Sequence, residues 1–379
     1  MKRWFLLFSI FLSVISVCSF AANTDNKFNV LAFADIHFDP FTGCLGNRTC
    51  PLIDKLRFSS AKEWPRILAM GDAEPQQIKQ DTNYRLLTSA LNNLQQAADA
   101  NHPQFVLLLG DLMGHESRDK YKHFSGDKSA AGYQAFARKV FEFLTNEIAA
   151  AFPSLDVYTV VGNNDSYQGD YSIKPNGAFF HNTGVLWSGL IREPANQSAM
   201  QKQFSYAGYY SLVLPHQLRL IAMNTNLFSY KARGRNIDDA AMRQLSWLHA
   251  ELQRAKEANQ AVFIIMHIPQ GIDFYATDHT RLFRLVRLWK PQYIQRFDEE
   301  LNQFSAEIAG IFAGHLHKNW FQVITENNHD IPVMGVTSIS PIFGNDPGFK
   351  MISFDEDPVH LDHFSTYTFP INGAPAHLV

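Results

Sequence analysis

Residues 28–37 read Phe28-Asn29-Val30-Leu31-Ala32-Phe33-Ala34-Asp35-Ile36-His37. The first seven are apolar except Asn29, which suits a strand covered on both faces. The run then stops on Asp35 and His37. The same event recurs down the chain. Phe105 to Leu109 is followed by Gly110-Asp111, and Val157 to Val161 by Gly162-Asn163-Asn164-Asp165. Ala261 to Met266 leads to His267-Ile268-Pro269, and Ile308 to Ala313 to Gly314-His315-Leu316-His317. Leu218 to Asn224 reads as a further strand. Helical patterns lie between these runs. Leu86, Leu87, Ala90, Leu91, Leu94 and Ala98 repeat at helical spacing within Asn83 to Ala100, as do Phe136, Val140, Phe143, Leu144 and Ile148 within Ala130 to Ala150. Asp239 to Ala258 places Leu245, Leu248 and Leu252 on one face, with Asp239 as the expected cap. Pro332 to Phe369 reads as strand-rich and hairpin-like. Strand and helix alternation predicts an α/β fold with a layered sheet core.

In such sheets ligands gather at the C-terminal ends of the strands. Here those ends carry Asp35, His37, Asp111, Asn163, His267, His315 and His317. These are two carboxylates, one amide and four imidazoles, with no thiolate. One divalent ion takes four to six donors, so seven donors around a bridging carboxylate fit two ions about 3.5–4 Å apart. Such a pair clamps a phosphoryl group and lowers the pKa of a bridging water. Glycines before three of the clusters let the chain turn sharply and the side chains converge.

The 379 residues are 46% hydrophobic, which excludes a disordered chain. A formal charge of −3 gives no electrostatic footprint for nucleic acid, and no nucleic-acid module is present. Lys2 and Arg3, the apolar Trp4 to Val17 and the small Ser19 and Ala21 form a three-part export signal. The expectation is a signal peptide over 1–21, then one domain over 22–379 with no membrane span. That chain would be periplasmic or secreted, or held in a lysosome-like compartment in a eukaryote. Only Cys44 and Cys50 then remain, in a setting where disulfides persist. A bond or two free thiols both fit the sequence.

The series D-x-H, G-D, G-N-N-D, H and G-H-x-H resembles that of the calcineurin-like metallophosphoesterases, and more narrowly that of the acid sphingomyelinase-like phosphodiesterases. The likeness extends through His267-Ile268-Pro269-Gln270-Gly271, His115, Gly208-Tyr209-Tyr210-Ser211, Gln244 to Leu248, Thr337 to Pro341 and Asn345 to Phe349. Cys44 and Cys50 sit where that group carries cystines. The resemblance implies a four-layer α/β/β/α sandwich. It assigns Asp35, His37, Asp111 and His317 to one metal, and Asp111, Asn163, His267 and His315 to the other. Asp111 would bridge, and His115 would face the phosphate as donor or proton source. Zn is the implied metal; this ligand set also accepts Mn, Fe or Mg. The implied activity is phosphodiester hydrolysis by a metal-activated hydroxide.

Two departures stand out. The family's G-N-H-[DE] has Asn164 where His faces the phosphate, and an amide cannot act as an acid. The G-N-N-D form is similar to that of endopolyphosphatases, which makes a polyphosphatase or nucleotide phosphatase the alternative. A metal-binding protein without catalysis is the third reading. No six-cysteine, saposin-like segment precedes Asp35, so direct attack on membrane sphingomyelin is not expected. Three further groups carry open readings. Lys120, Lys122, Lys128 and His123 form either an anion-greeting patch or a solvated loop. Tyr167, Tyr171, Phe179, Phe180 and His181 wall a pocket or fill the core. His249 is expected to be structural.

Overall fold

The computed structural model describes residues 26–44, 50–71, 75–278, 285–371 and 377–378. The expected signal segment lies outside them. Among the described residues the strands are β1 (Lys27–Phe33), β2 (Phe105–Leu108), β3 (Asp156–Thr159), β4 (Tyr210–Leu214), β5 (Leu218–Ala222), β6 (Ala261–Met266), β7 (Ile308–Ala313), β8 (Trp320–Glu326), β9 (His329–Gly335), β10 (Gly348–Glu356), β11 (Val359–Thr368) and β12 (His377–Leu378). They form two sheets, in the orders β12-β11-β10-β1-β2-β3 and β4-β5-β6-β7-β9-β8. Each has a parallel heart, β1-β2-β3 in one and β5-β6-β7-β9 in the other. Antiparallel strands flank both.

The sheets pack face to face through phenylalanines. Phe263 of β6 lies 4.6 Å from Phe354 of β10 and 6.4 Å from Phe28 of β1, ring centre to ring centre. Phe312 of β7 completes the cluster against Phe354. At the sheet edges, the Tyr210 hydroxyl accepts from Thr159 N and donates to Thr159 O, tying β4 to β3. The helix Tyr84–Asn101 packs against helix Ala130–Ala151 and against β10, and helix Ile237–Glu257 covers β5 and β6. The result is the expected α/β/β/α sandwich. None of the described helices is long and apolar enough to cross a membrane.

The apolar runs become strands within one or two residues of their expected ends. Asn83 caps its helix by accepting from Leu86 N. The expected cap at Asp239 does not form. That helix begins two residues earlier after Asn236, whose left-handed backbone (φ 57°) turns the chain into it, and Asp238 and Asp239 lie in the first turn. There they complement the helix dipole. Cys44 and Cys50 are joined as a disulfide.

Parallel strands bring β1, β2, β3, β6 and β7 to one edge with their C-terminal ends together. Close backbone approach there depends on missing side chains. A Cβ on Gly162 would lie 2.0 Å from Asp111 N and 2.1 Å from Asp111 Oδ1. Gly110 takes a left-handed turn (φ 87°), and a Cβ there would meet Gly162 N at 2.7 Å. Gly162→Ala is therefore expected to destabilise the protein by about 1–3 kcal/mol or more, the cost of an overpacked core. Gly43→Ala, whose nearest neighbour would be 3.6 Å away, is the control and should leave the melting temperature nearly unchanged. Thermal denaturation of both variants checks this.

Candidate metal centre

All seven residues expected as metal ligands meet at that edge. Asp35, His37 and His317 offer ligand atoms within 4.8 Å of one another, and Asp111, His267 and His315 do the same. Five of the seven, Asp35, His37, Asp111, His315 and His317, have left-handed backbones with φ between 44° and 69°. That conformation is rare outside glycine and is stored where a site requires it. It swings each side chain out of its strand direction and into the common centre.

The donor spacing fits cations. His37 Nε2 lies 3.1 Å from His317 Nε2 and 3.7 Å from Asp35 Oδ1, and His317 Nε2 is 3.4 Å from the same Oδ1. On the other side His267 Nε2 is 3.1 Å from Asn163 Oδ1 and 3.2 Å from Asp111 Oδ2. Asp111 Oδ2 is also 3.4 Å from His37 Nε2, which places it between the two groups. Metal bonds of about 2.0–2.1 Å to N and O imply donor separations of roughly 3.0–3.4 Å. Two of the far ring nitrogens are already engaged. His37 Nδ1 faces Met113 O at 3.1 Å and His267 Nδ1 faces Leu109 O at 2.7 Å, so Nε2 is the ring atom that each turns inward. This is the backbone support that metal-bound imidazoles need. The residues thus fit two divalent ions.

Electrostatics point the same way. Burial opposes charge on His37, but the Asp111 and Asp35 carboxylates outweigh it and raise its pKa to about 9. His267 is likewise raised to about 9, with burial opposed by Asp111, Asp35 and the Leu109 carbonyl. Burial works against ionising Asp111, yet the His267 and His37 charges hold it well below the usual carboxylate range. His315 and His317 are held low, first by burial and then by the neighbouring His267 and His37. The centre therefore draws positive charge to the His37 and His267 rings and opposes it at His315 and His317.

Other contacts hold these ligands, and the sequence reading gave no role to Asp81, Asp165 or Asn226, which make several of them. Asp165, the fourth residue of Gly162-Asn163-Asn164-Asp165, accepts from four backbone amides: Asp111 N, Gly162 N, Leu112 N and Met113 N. Burial and the Asp111 charge push its carboxyl up, against those donors. Asn226 Nδ2 donates to Val161 O and Gly162 O. Asp35 accepts from His315 N. Asp81 accepts from His115 N at 2.7 Å and faces His115 Nδ1 at 2.9 Å. Nothing in its surroundings, Gln80-Asp81-Thr82-Asn83, marks it out; its partner is 34 residues away. The His115 ring stacks on His37 at 4.2 Å.

Asn164 donates through N and Nδ2 to both oxygens of Asp111, at 2.7 and 2.9 Å. Asn164 is itself buried. A cleft of about 750 Å³ opens over the centre, with His115, Tyr171, Lys231, Phe274, Lys318 and Phe343 among its walls. Of the aromatic group only Tyr171 reaches it. Tyr167, Phe179 and Phe180 are core, and His181 is exposed and bonded to Asn176. Lys120 does not greet a substrate. Its ammonium bonds Asp39 at 2.6 Å and lies 3.7 Å from Asp81, while Lys122 pairs with Asp119. His249 is structural, facing Glu300 at 2.9 Å.

Residues 28–319 match the family model described as calcineurin-like phosphoesterase. Among curated proteins the chain is similar to sphingomyelinase phosphodiesterase D of Dictyostelium discoideum, 27% identical over 76% of this chain and 60% of that protein. It is also similar to the cyclic GMP-AMP phosphodiesterase SMPDL3A of Mus musculus, 24% identical over 84% of this chain and 66% of that one. The chain thus spans less than two thirds of these relatives' length. Among solved structures a dimetal phosphatase from Danio rerio has the same fold, with a TM-score of 0.52 at 12% identity, covering 93% of this chain and 98% of the other.

Metal loading of a chelator-treated sample at pH 7.5 is expected to release protons, because His37 and His267, raised to about 9, must give theirs up. Apparent affinity should then rise with pH up to about 9 and fall toward acid. Calorimetry in two buffers of different ionisation enthalpy counts the protons. Zero release would mean that these rings carry no proton to give up at pH 7.5.

Proposed function

The chain belongs to the calcineurin-like phosphoesterase family, and from that premise we propose that it is a metal-dependent phosphodiesterase of the acid sphingomyelinase-like group. The observation that carries this reading is the convergence of seven N and O donors into two clusters that share Asp111. One ion would be held by Asp35, His37, Asp111 and His317, the other by Asp111, Asn163, His267 and His315. Two divalent ions there, Zn by our proposal, would supply Lewis acidity to the phosphoryl oxygens and acidify an attacking water. His115 sits at the cleft wall with Nδ1 bonded to buried Asp81. That bond fixes the ring and leaves Nε2 to hold or deliver a proton, the role we assign it. Phe343 packs edge-on against His115 and His317 and narrows the entrance above them. We further propose that the protein works after export. The Cys44–Cys50 disulfide supports that, since such bonds persist in oxidising compartments.

Turnover of bis(p-nitrophenyl) phosphate that is lost on chelation and restored by metal tests the reading. His115→Ala is expected to lower kcat by about 10²–10⁴ on an alkyl phosphodiester, the range for a lost proton donor. The loss should be smaller on nitrophenyl esters, whose leaving group needs little protonation. Equal losses on both would assign His115 to binding instead.

A second reading, hydrolysis of polyphosphate or nucleotides, is favoured by Asn164. Its amide is committed to Asp111 and brings no acid to the cleft. A phosphate leaving group tolerates that better than an alkoxide does. Asn164→His is expected to raise turnover on an alkyl diester and to leave polyphosphate hydrolysis nearly unchanged. A uniform loss on both, with a lower melting temperature, would show that residue 164 only shapes the loop.

A further inference from the structure

Asn163 is the one proposed ligand whose two terminal atoms are alike in shape and opposite in chemistry. Its Oδ1 attracts a cation and its NH₂ repels one. The turn of the amide therefore decides whether the residue is a ligand at all. Tautomers at His37 and His267 are set by Met113 O and Leu109 O. Asn163 needs an equivalent, and the backbone carbonyls do not supply it.

The equivalent is Asp170. Asn163 Nδ2 donates to Asp170 Oδ1 at 2.8 Å, while Asn163 Oδ1 faces His267 Nε2 at 3.1 Å. An ionised carboxylate only accepts, so it bonds the NH₂ end and rejects the oxygen. The loop that returns Asp170 to Asn163 is built for the meeting. Ser166 Oγ donates to Gly169 O and accepts from Gln168 N and Gly169 N, and Gly169 turns left-handed (φ 108°). Tyr171 N then closes the loop on Asn163 O at 2.8 Å. Asp170 also lies on the wall of the cleft beside Asn163 and Asp111.

We infer that Asp170 is a positioning residue that turns the Asn163 amide with its oxygen inward and thereby sets the affinity of the metal position shared by Asp111, Asn163, His267 and His315. This rests on the two-metal reading above. Asp170 touches neither ion; it acts through Asn163. Removal of such a supporting partner typically costs 10–100-fold in metal affinity.

The test is stepwise metal binding by the full chain, read by competition with a chromogenic chelator and by the visible absorption of Co(II). Asp170→Ala is expected to weaken one of the two dissociation constants by about 10–100-fold and to alter one set of Co(II) bands, leaving the other constant nearly unchanged. Asp170→Asn, whose amide can still offer an oxygen, should fall between. In an Asn163→Ala background the further change Asp170→Ala should cost nothing, since the effect passes through Asn163. Two unchanged constants, or an undiminished effect in that background, would overturn the assignment. Equal weakening of both positions with a lower melting temperature would make Asp170 merely structural. A wild-type chain that takes up fewer than two ions would instead refute the two-metal reading, and so the two failures are distinguishable.

Discussion

The Asp111 carboxylate lies 3.4 Å from His37 Nε2 and 3.2 Å from His267 Nε2, and the architecture around it exists to keep it there. Its two oxygens are tethered by Asn164 N and Nδ2. Its own amide is held by Asp165, which gathers three more amides from two loops. The Gly162 backbone passes so close that a methyl group there would overlap Asp111. A buried carboxylate is expensive unless it is paired and bonded. Here it meets both conditions, with positive ring charge on two sides and donors on a third.

What the sequence displays plainly is the parallel heart of each sheet and the residues that leave it. β1, β2, β3, β6 and β7 are covered on both faces, so their apolar runs are nearly unbroken and easily seen. Their C-terminal residues are chemically unlike the runs that precede them. The flanking strands are less legible. β8 does not alternate cleanly and is mostly exposed, with Phe321 and Val323 at 44% and 48% accessibility. Such a strand carries little periodic signal and owes its place to pairing with β9. Asp239 looked like a cap because Asp favours caps, but Asn236 could take the left-handed turn that the entering chain demands.

The supporting residues were invisible for a different reason. Asp81, Asp165 and Asp170 act through partners fixed only by the tertiary fold. Asp81 meets His115 across 34 residues, and Asp165 reaches back 53 residues to Leu112. A lone aspartate in a loop has no period and no composition cue. The lysine group misled in the opposite sense. Lys120, Lys122 and Lys128 read as a surface charge cluster, yet Lys120 turns inward to Asp39 and Asp81, where two buried carboxylates need a cation. Burial raises Asp39, and Lys120 partly offsets that. Lys120 therefore bears on the centre indirectly, through the Asp81 that orients His115.

Five of the proposed ligand residues, in the left-handed region, carry a conformational cost of about 1–2 kcal/mol each. That sum is comparable to the whole stability of an ordinary domain, about 5–15 kcal/mol. The sandwich must therefore be stable enough elsewhere to hold the strain, and the Phe28, Phe263, Phe312 and Phe354 cluster between the sheets shows how. Aromatic packing between the sheets is rigid and independent of the site's charge. The loops above it can then be shaped for donor geometry alone. The strain has a return as well. A ligand set that is already converged does not have to be ordered when a cation arrives, so less of the binding free energy is consumed in ordering it. The same logic explains why so many carboxylates, Asp81 and Asp165 among them buried, surround the centre. Asp81, Asp165 and Asp170 each fix the direction of a donor that would otherwise have a choice, and fixing direction in advance is what a preorganised electrostatic site requires.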